Sequence, residues 1–374
     1  MTQAIRVLVA GARFGEVYLN AFLEGIVAAR PLVLAGLLAH GSQRARHLAH
    51  AHGVPLYTDV AQLPRDLDLA CVVVRGGAMG GDGTVLAQTL LERGLHVIQE
   101  HPLHPGEVQR LQDAAARAGR LYWVNTLYPH TAAGRAWINL ARRVRHAVGG
   151  VPPCVAQATM SRQLLYSGLD LLTQAADVMP DAVAVTLAAD GGERTDAAFR
   201  ALWLRTPDTD VLLQLQHYLD PADPDMHSVA MHRLCLGWPS GYLSLESTHG
   251  PVSWTPALAL AGHRQAEGGW FGHGDADPGL SLPVSATLHR PPPTWLSAMA
   301  HEAPQGVARL LRLAAAAIDG AEVPDSLHPA RQLALARLWQ QVQRAAGPVR
   351  EVSLPAPPRV DPCVLRTPAE RDAP

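Results

Sequence analysis

Residues 95–105 read LHVIQEHPLHP and residues 121–130 read LYWVNTLYPH, with Gly106–Ala118 between them. Leu95–Gln99 and Leu121–Val124 are apolar and short enough for buried strands, and the segment between them has helical periodicity. Strand, helix, strand in this order is a parallel crossover, so both strands end at the same edge of an open sheet. That edge is where open α/β sheets bind ligands. It receives Glu100-His101-Pro102 from the first strand and Asn125-Thr126-Leu127-Tyr128 from the second.

The residues before this unit repeat its pattern. Ile5–Ala10, Pro31–Leu38, Val54–Thr58 and Asp68–Val74 read as strands, Gly76–Gly83 as a flexible glycine-rich loop and Thr84–Arg93 as a helix. The alternation predicts an α/β, doubly wound sheet of about six strands. Gly11-Ala12-Arg13-Phe14-Gly15-Glu16 stands where the first strand meets a helix. A glycine turn there lets backbone N–H groups approach a pyrophosphate. The G-x-G-x-x-G fingerprint is not met, because Arg13 replaces the second glycine and the last glycine comes early. A tight turn without a ligand stays open as the alternative. The second strand leads to His40-Gly41-Ser42-Gln43-Arg44-Ala45-Arg46, with no carboxylate for a ribose hydroxyl. Ser42, Arg44 and Arg46 suit a 2′-phosphate, since Arg binds phosphate bidentately. The alternative is a solvated helix start with surface arginines.

Beyond residue 130 the pattern changes. A helix over Ala132–Val148 is followed by Val155–Thr159, Ala182–Leu187, Ala201–Leu204, Val211–His217, Met231–Leu236 and Tyr242–Ser247. Strands now follow strands, which predicts an α+β unit with a mostly antiparallel open sheet and helices on one face. Ser161–Tyr166 is placed at the end of a strand returning to the cleft. Gly262–Pro293, rich in Gly, Pro, His and Asp, reads as a long mobile loop. Helices over Gln305–Ile318 and His328–Ala345 follow, the second expected to pack back on the first domain, and a Pro-rich, poorly ordered end starts at Pro348. The expected division is 1–126, 127–347 and 348–374.

A chain of 374 residues, 48% hydrophobic, has room for two cores. A formal charge of -2 offers no basic face for nucleic acid. Neither a signal-peptide pattern nor a membrane-length apolar run is present, so a cytoplasmic protein is expected. Cys71, Cys154, Cys235 and Cys363 are scattered singly, against both a disulfide framework and a zinc cage, and Cys71 reads as buried structure. Asp220, Asp223, Asp225 and His227 cluster, but two prolines and the lack of EF-hand spacing favour a rigid turn over a metal site. The chain contains no lysine. Schiff-base chemistry, pyridoxal chemistry and Walker-type P-loops are thereby excluded. Any proton donor must be His, Tyr, Cys or a carboxyl group.

Glu100-His101-Pro102 after the fifth strand, followed by a mixed second domain, resembles the glucose-fructose oxidoreductase/inositol dehydrogenase (Gfo/Idh/MocA) superfamily, where a Rossmann domain ends in Glu-Lys-Pro with a catalytic lysine. Here His101 takes the lysine position. GARFGEVYLNAF, LLAHGSQRARHLAHAHGVPLYT, HVIQEHPLHP, YWVNTLYPHTAAGRAW, SRQLLYS, YLDPADPDMHS, HRLCLGWPSGYLSLE and LARLWQQV resemble more narrowly the thiazolinyl imine reductases of pyochelin- and yersiniabactin-type siderophore assembly, from about Val7 to Val342. The resemblance implies NADPH-dependent reduction of a thiazoline C=N to a thiazolidine. The substrate would be a hydroxyphenyl-thiazolinyl thioester held on a carrier protein of a nonribosomal peptide synthetase. It also implies a homodimer formed through the second-domain sheet. Two rivals stand beside it. An NADP-dependent sugar or polyol oxidoreductase is disfavoured by His101 and by the lack of a D-x-x-x-H pair after Arg162. A non-catalytic nucleotide-binding regulator would keep the fold and lose the acid.

Reducing C=N needs hydride on carbon and a proton on nitrogen. Tyr128 and His101 are the candidate acids at the strand ends, Tyr128 as direct donor and His101 as its alternative or as a relay through water. Histidine, near 6.5, donates at neutral pH, whereas tyrosine, near 10, donates to a strong developing base. Asn125, Arg162 and Tyr166 are the expected substrate contacts, while His104 and His130 read as plain loop histidines. Cofactor contacts are expected from Gly11, Ala12, Arg13, Phe14 and Gly15, from His40, Ser42, Arg44 and Arg46, from Val74 and Arg75, and from Glu100, His101 and Pro102.

Overall fold

The computed structural model describes residues 3–23, 25–26, 28–188, 197–259 and 278–365. The first part alternates β1 (Ile5–Ala10), α1 (Gly15–Asn20), β2 (Leu32–Leu38), α2 (Gln43–Ala51), β3 (Leu56–Tyr57), β4 (Leu69–Val72), α3 (Gly83–Glu92), β5 (His96–Glu100), α4 (Pro105–Ala118) and β6 (Tyr122–Asn125). These strands form one sheet in the order β3-β2-β1-β4-β5-β6, every pair parallel. This is the Rossmann order, with the direction of winding reversing between β1 and β4. The central strands are apolar along their length because helices cover both faces: Val7 to Ala10 and Leu69 to Val72 are all buried. Cys71 is buried among them.

The Gly76–Gly83 loop is held more firmly than its composition predicts. Glu107, in the first turn of α4, accepts the Gly77 amide at 2.8 Å, the Ala78 amide at 3.3 Å and the Thr84 hydroxyl, and a 3₁₀ turn forms over Gly77–Met79.

The second part contains α5 (Ala132–Ala147), β7 (Val155–Met160), α6 (Leu165–Ala175), β8 (Ala184–Leu187), β9 (Phe199–Arg205), β10 (Asp210–Gln216), β11 (Tyr218–Leu219), β12 (His232–Trp238), β13 (Gly241–Leu245), β14 (Val252–Pro256) and β15 (Ala286–His289). After these come α7 (Trp295–Ser297), a π-helical turn over Ala298–Glu302, α8 (Ala303–Ile318), α9 (Pro329–Ala346) and β16 (Arg350–Glu351). Eight strands form the sheet β15-β14-β13-β12-β7-β10-β9-β8. Only β7 and β10 pair in parallel, so the sheet is mixed but mostly antiparallel. β7 alternates, with Ala156, Ala158 and Met160 buried and Val155 and Gln157 exposed, as one helix-covered face requires.

Ser161–Tyr166 lies at the end of β7, which stops at Met160, and Leu165 and Tyr166 open α6, a helix not expected from the sequence. All eleven residues of α6 are buried. Within Gly262–Pro293, residues 262–277 lie outside the described residues, while Ala286–His289 is an edge strand on β14 rather than loop. The chain after Pro348 begins anchored, since β16 pairs in parallel with β11 and the Leu354 amide donates to Asp220 at 2.9 Å. Asp220 also accepts the Ala222 amide at 2.9 Å, which makes the acidic stretch a side-chain-closed turn.

The two sheets are tied through α9. The Gln332 amide donates to Val124 O at 3.0 Å and accepts from Val124 N at 3.1 Å, taking the place of a neighbouring strand along the β6 edge. No helix among the described residues is long and apolar enough to cross a membrane.

Candidate active site

The turn after β1 is shaped for close approach of a ligand. Gly11 has φ +112°, and a Cβ there would lie 2.5 Å from Val73 O, so only glycine fits between β1 and β4. Gly15 has ordinary space, its added Cβ meeting Val9 at 3.5 Å, which explains how one indispensable glycine suffices. This backbone-lined cradle at the carboxyl edge fits a dinucleotide pyrophosphate. Phe14 precedes α1 as its N-cap without a side-chain bond, and Ala12 offers its carbonyl to Arg44 Nε at 2.9 Å. Arg44 also pairs with Glu16 of α1. Ser42 Oγ caps α2 by accepting the Ala45 amide at 3.2 Å. Arg13, His40 and Arg46 are exposed, and the Arg13 and Arg46 side chains bond to no described residue. Arg75, beyond Val74, crosses to the second part and pairs with Asp225.

At the β5 and β6 ends the register places Glu100 opposite Asn125. The His101–Pro102 peptide is cis. Glu100 accepts from the Tyr18 hydroxyl and, at 3.2 Å, from Asn125 Nδ2, which also bonds the Tyr18 oxygen. Its other oxygen lies 3.0 Å from His101 Nδ1, which is 2.9 Å from Asn125 O as well. Two acceptors facing Nδ1 fix the hydrogen there, leaving Nε2 as the free nitrogen of His101. Asn125 is thus a buried brace, its Oδ1 taking the Leu127 amide at 2.8 Å. Leu127 has φ +58°, a strained conformation for a branched residue, and it turns the chain so that Tyr128 enters the interior.

Tyr128 is 5% exposed. Burial, and then the charge of Glu100, push its hydroxyl well above the ordinary tyrosine value, so it holds its proton throughout the neutral range. Gly134 makes room for this turn, since a Cβ there would lie 1.9 Å from Tyr128 O. The ring packs edge-on against His232 at 4.9 Å and His249 at 6.1 Å between centroids. His232 is satisfied at both nitrogens, by Ser167 Oγ and Leu164 O on one side and Thr248 Oγ1 on the other. Burial pulls it down to about 3, and it stays neutral.

Tyr166 joins this group. Its ring lies 5.7 Å from His101 and 5.9 Å from Trp339, and its buried hydroxyl has no partner. One turn further along α6, Asp170 accepts the Thr126 hydroxyl at 2.6 Å and the Gln174 amide at 2.8 Å, and burial raises its carboxyl. Arg162 is directed elsewhere: it donates to Gly347 O at 2.9 Å, at the end of α9, and lies 3.4 Å from His217. His130 lies in the loop after β6. It is buried, and burial followed by Arg309 and Arg135 pulls it down to about 4. His104 opens α4, its backbone amide donating to Glu107 at 2.9 Å.

Sequence reading missed Asp170, His232, His249 and Glu302. Asp170 lies in the helix that went unrecognised, His232 lies in the expected strand Met231–Leu236 without a signal for its role, and His249 and Glu302 come from segments far apart in the chain with no local pattern.

Residues 5–126 match the family described as oxidoreductase family, NAD-binding Rossmann fold. Residues 152–255 match the C-terminal domain described as thiazolinyl imine reductase Irp3-like. No curated protein matches the chain. Among solved structures, an oxidoreductase from Agrobacterium radiobacter in complex with NAD+, L-tartaric acid and magnesium aligns at TM-score 0.64 and 11% identity, over 92% of this chain and 96% of the other. GenD2 from gentamicin A biosynthesis, in complex with NAD, aligns at 0.62 and 14%, over 92% and 95%. The aldose-aldose oxidoreductase from Caulobacter crescentus, complexed with glycerol, aligns at 0.62 and 15%, over 92% and 98%. At these identities the likeness is one of fold.

Proposed function

We propose, from the premise that the chain belongs to the Gfo/Idh/MocA oxidoreductase family and carries an Irp3-like C-terminal domain, that it reduces a thiazoline C=N bond to a thiazolidine with NADPH. The match over 152–255 carries the substrate class. The site's chemistry supports it, because C=N reduction asks for one strong-binding proton near the β5 and β6 ends, and Tyr128 retains one.

Bound NADPH supplies the hydride to the imine carbon. Gly11 to Gly15 would hold its pyrophosphate against the backbone, and Arg46 together with Arg44 would meet the 2′-phosphate. As the imine nitrogen gains electron density it becomes a base strong enough to take the Tyr128 proton. General acids of this kind contribute about 10²–10⁴-fold in rate. His101, braced at Nδ1 by Glu100 and Asn125, would present Nε2 as the second donor or as a relay through water. Tyr166 would wall the substrate pocket next to His101. The substrate would arrive as a hydroxyphenyl-thiazolinyl thioester on a carrier protein of a siderophore-making synthetase. A homodimer would use the open face of the second sheet, where Val155 and Tyr242 are exposed.

The test is to incubate the protein with NADPH and a synthetic aryl-thiazoline thioester and follow absorbance of the reduced nicotinamide. Oxidation matched by thiazolidine formation is expected, and no oxidation with any such thioester refutes the assignment.

A further inference from the structure

Tyr128 lies against a second pair of titratable groups that the proposed chemistry has not used. His249, in the turn between β13 and β14, is bonded through Nδ1 to Glu302 at 2.6 Å, and the other oxygen of Glu302 takes the Ala133 amide at 3.2 Å. Both side chains are buried. A carboxylate facing Nδ1 fixes the hydrogen on that nitrogen, so Nε2 is the reactive end of the ring. His249 Nε2 is buried and has no hydrogen-bond partner among the described residues. The Tyr128 hydroxyl also bonds to no described residue. A histidine serving only to tie the β13–β14 turn to α8 would need Nδ1 alone, and leaving a buried nitrogen unpaired is destabilising. His232 shows the contrast: it touches the same tyrosine and has both nitrogens satisfied.

The His249 ring also packs edge-on with Trp295 at 6.0 Å, and Trp295 is 60% exposed. His249 therefore touches both the interior tyrosine and a residue at the surface. The titratable groups facing it are Glu302 from the π-helical turn, Tyr128 from the loop after β6, His232 from β12 and His289 of β15, beside Gly250.

We propose that His249, oriented by Glu302, is a positioning residue that returns a proton to Tyr128 after each reduction; this rests on the imine-reduction reading above. In the chemical step the Tyr128 O–H bond breaks and the product N–H bond forms, leaving a phenolate in a site where burial opposes the charge. The His249 imidazolium then passes its Nε2 proton to that oxygen through an intervening water, because the two groups share no direct hydrogen bond. The ring is left neutral, keeping its Nδ1 hydrogen donated to Glu302, and a solvent proton reaching Nε2 restores it. Each cycle consumes one hydride and one solvent proton and leaves both side chains as they began.

The experiment is steady-state reduction of the aryl-thiazoline thioester by full-length wild type, His249→Ala, His249→Gln and Glu302→Gln, with NADPH binding measured for each. We expect His249→Ala and His249→Gln to lower kcat about 30-fold or more with KM and NADPH binding within about twofold, and Glu302→Gln about tenfold. Added imidazole should restore His249→Ala, and the restoration should fade as pH rises above imidazole's own pKa, because the cation is the donor. A purely structural role predicts no rescue. Either histidine variant within threefold of wild-type kcat, or a His249→Ala loss that imidazole restores at no pH, overturns the relay. A wild type that reduces no thiazoline overturns the imine reading itself and the relay with it.

Discussion

The turn around Gly11 and the pocket around Tyr128 lie at the same edge of one sheet, yet they use polar groups in opposite ways. In the turn, Ser42 is committed to the Ala45 amide and Arg44 to Ala12 O and Glu16, and what faces outward is chiefly backbone shape with Arg13 and Arg46. In the pocket, the Tyr166 hydroxyl and His249 Nε2 are buried without partners, and Tyr128 keeps a proton it shares with no described residue. Proteins rarely leave buried polar atoms unpaired, and each such case calls for an explanation. Recognition at the turn rests on a fixed surface, whereas chemistry at the pocket requires groups left free to change partners.

The largest break in this contrast would come from Gly11→Ala. The new Cβ would sit 2.5 Å from Val73 O at φ +112°, so the turn must move. NADPH affinity is expected to fall by about 100-fold or more, or about 2.7 kcal/mol. Binding followed by nicotinamide fluorescence checks it, and unchanged affinity would mean the cradle is not the cofactor's.

A second effect concerns stability and belongs to the pocket side. Burial holds His232 at about 3 and His130 at about 4, below the unfolded value near 6.5. Between those values the unfolded chain binds protons that the folded chain refuses, so stability is complete above about pH 6.5 and is lost as pH falls toward 4. Each such histidine costs about 1.4 kcal/mol per pH unit across that window. Thermal unfolding should show a falling Tm from pH 7 to pH 4.5, and a flat Tm would contradict the buried neutral assignment.

The legibility of the two regions differed for the same physical reason. The strands of the first sheet are continuous apolar runs, so β1, β2, β4 and β5 stood out, and the turn between β1 and α1 could be located by its glycines alone. The pocket is assembled from the loop after β6, α6, the start of β12, the β13–β14 turn and the residues before α8. His249 and Glu302 are 53 residues apart and neither sits in a patterned segment. α6 was not placed although Leu165, Leu169 and Leu172 follow helical spacing, and Asp170 was missed with it. Tyr128 and His101 were legible because each follows a strand end and precedes a proline. The brace of His101 by the Asn125 backbone, and the bond of Tyr18 to Glu100, were not, since those bonds cross between elements.

The smallest effect sharpens the turn side. Arg46→Ala should weaken NADPH about fivefold and leave NADH unchanged, because a 2′-phosphate would lose one charged partner. Glu16→Gln, which frees Arg44, should tighten NADPH about twofold. Titration with both nucleotides distinguishes these outcomes, and equal loss for NADH and NADPH would remove the 2′-phosphate role from Arg46.

The most direct test of the account is single-turnover hydride transfer to a carrier-bound hydroxyphenyl-thiazolinyl thioester, comparing wild type with Tyr128→Phe at matched NADPH occupancy. The account predicts one thiazolidine per NADPH in the wild type and a rate about 100-fold or more slower in the variant, with NADPH affinity unchanged. A Tyr128→Phe protein that reduces the imine as fast as the wild type would contradict it.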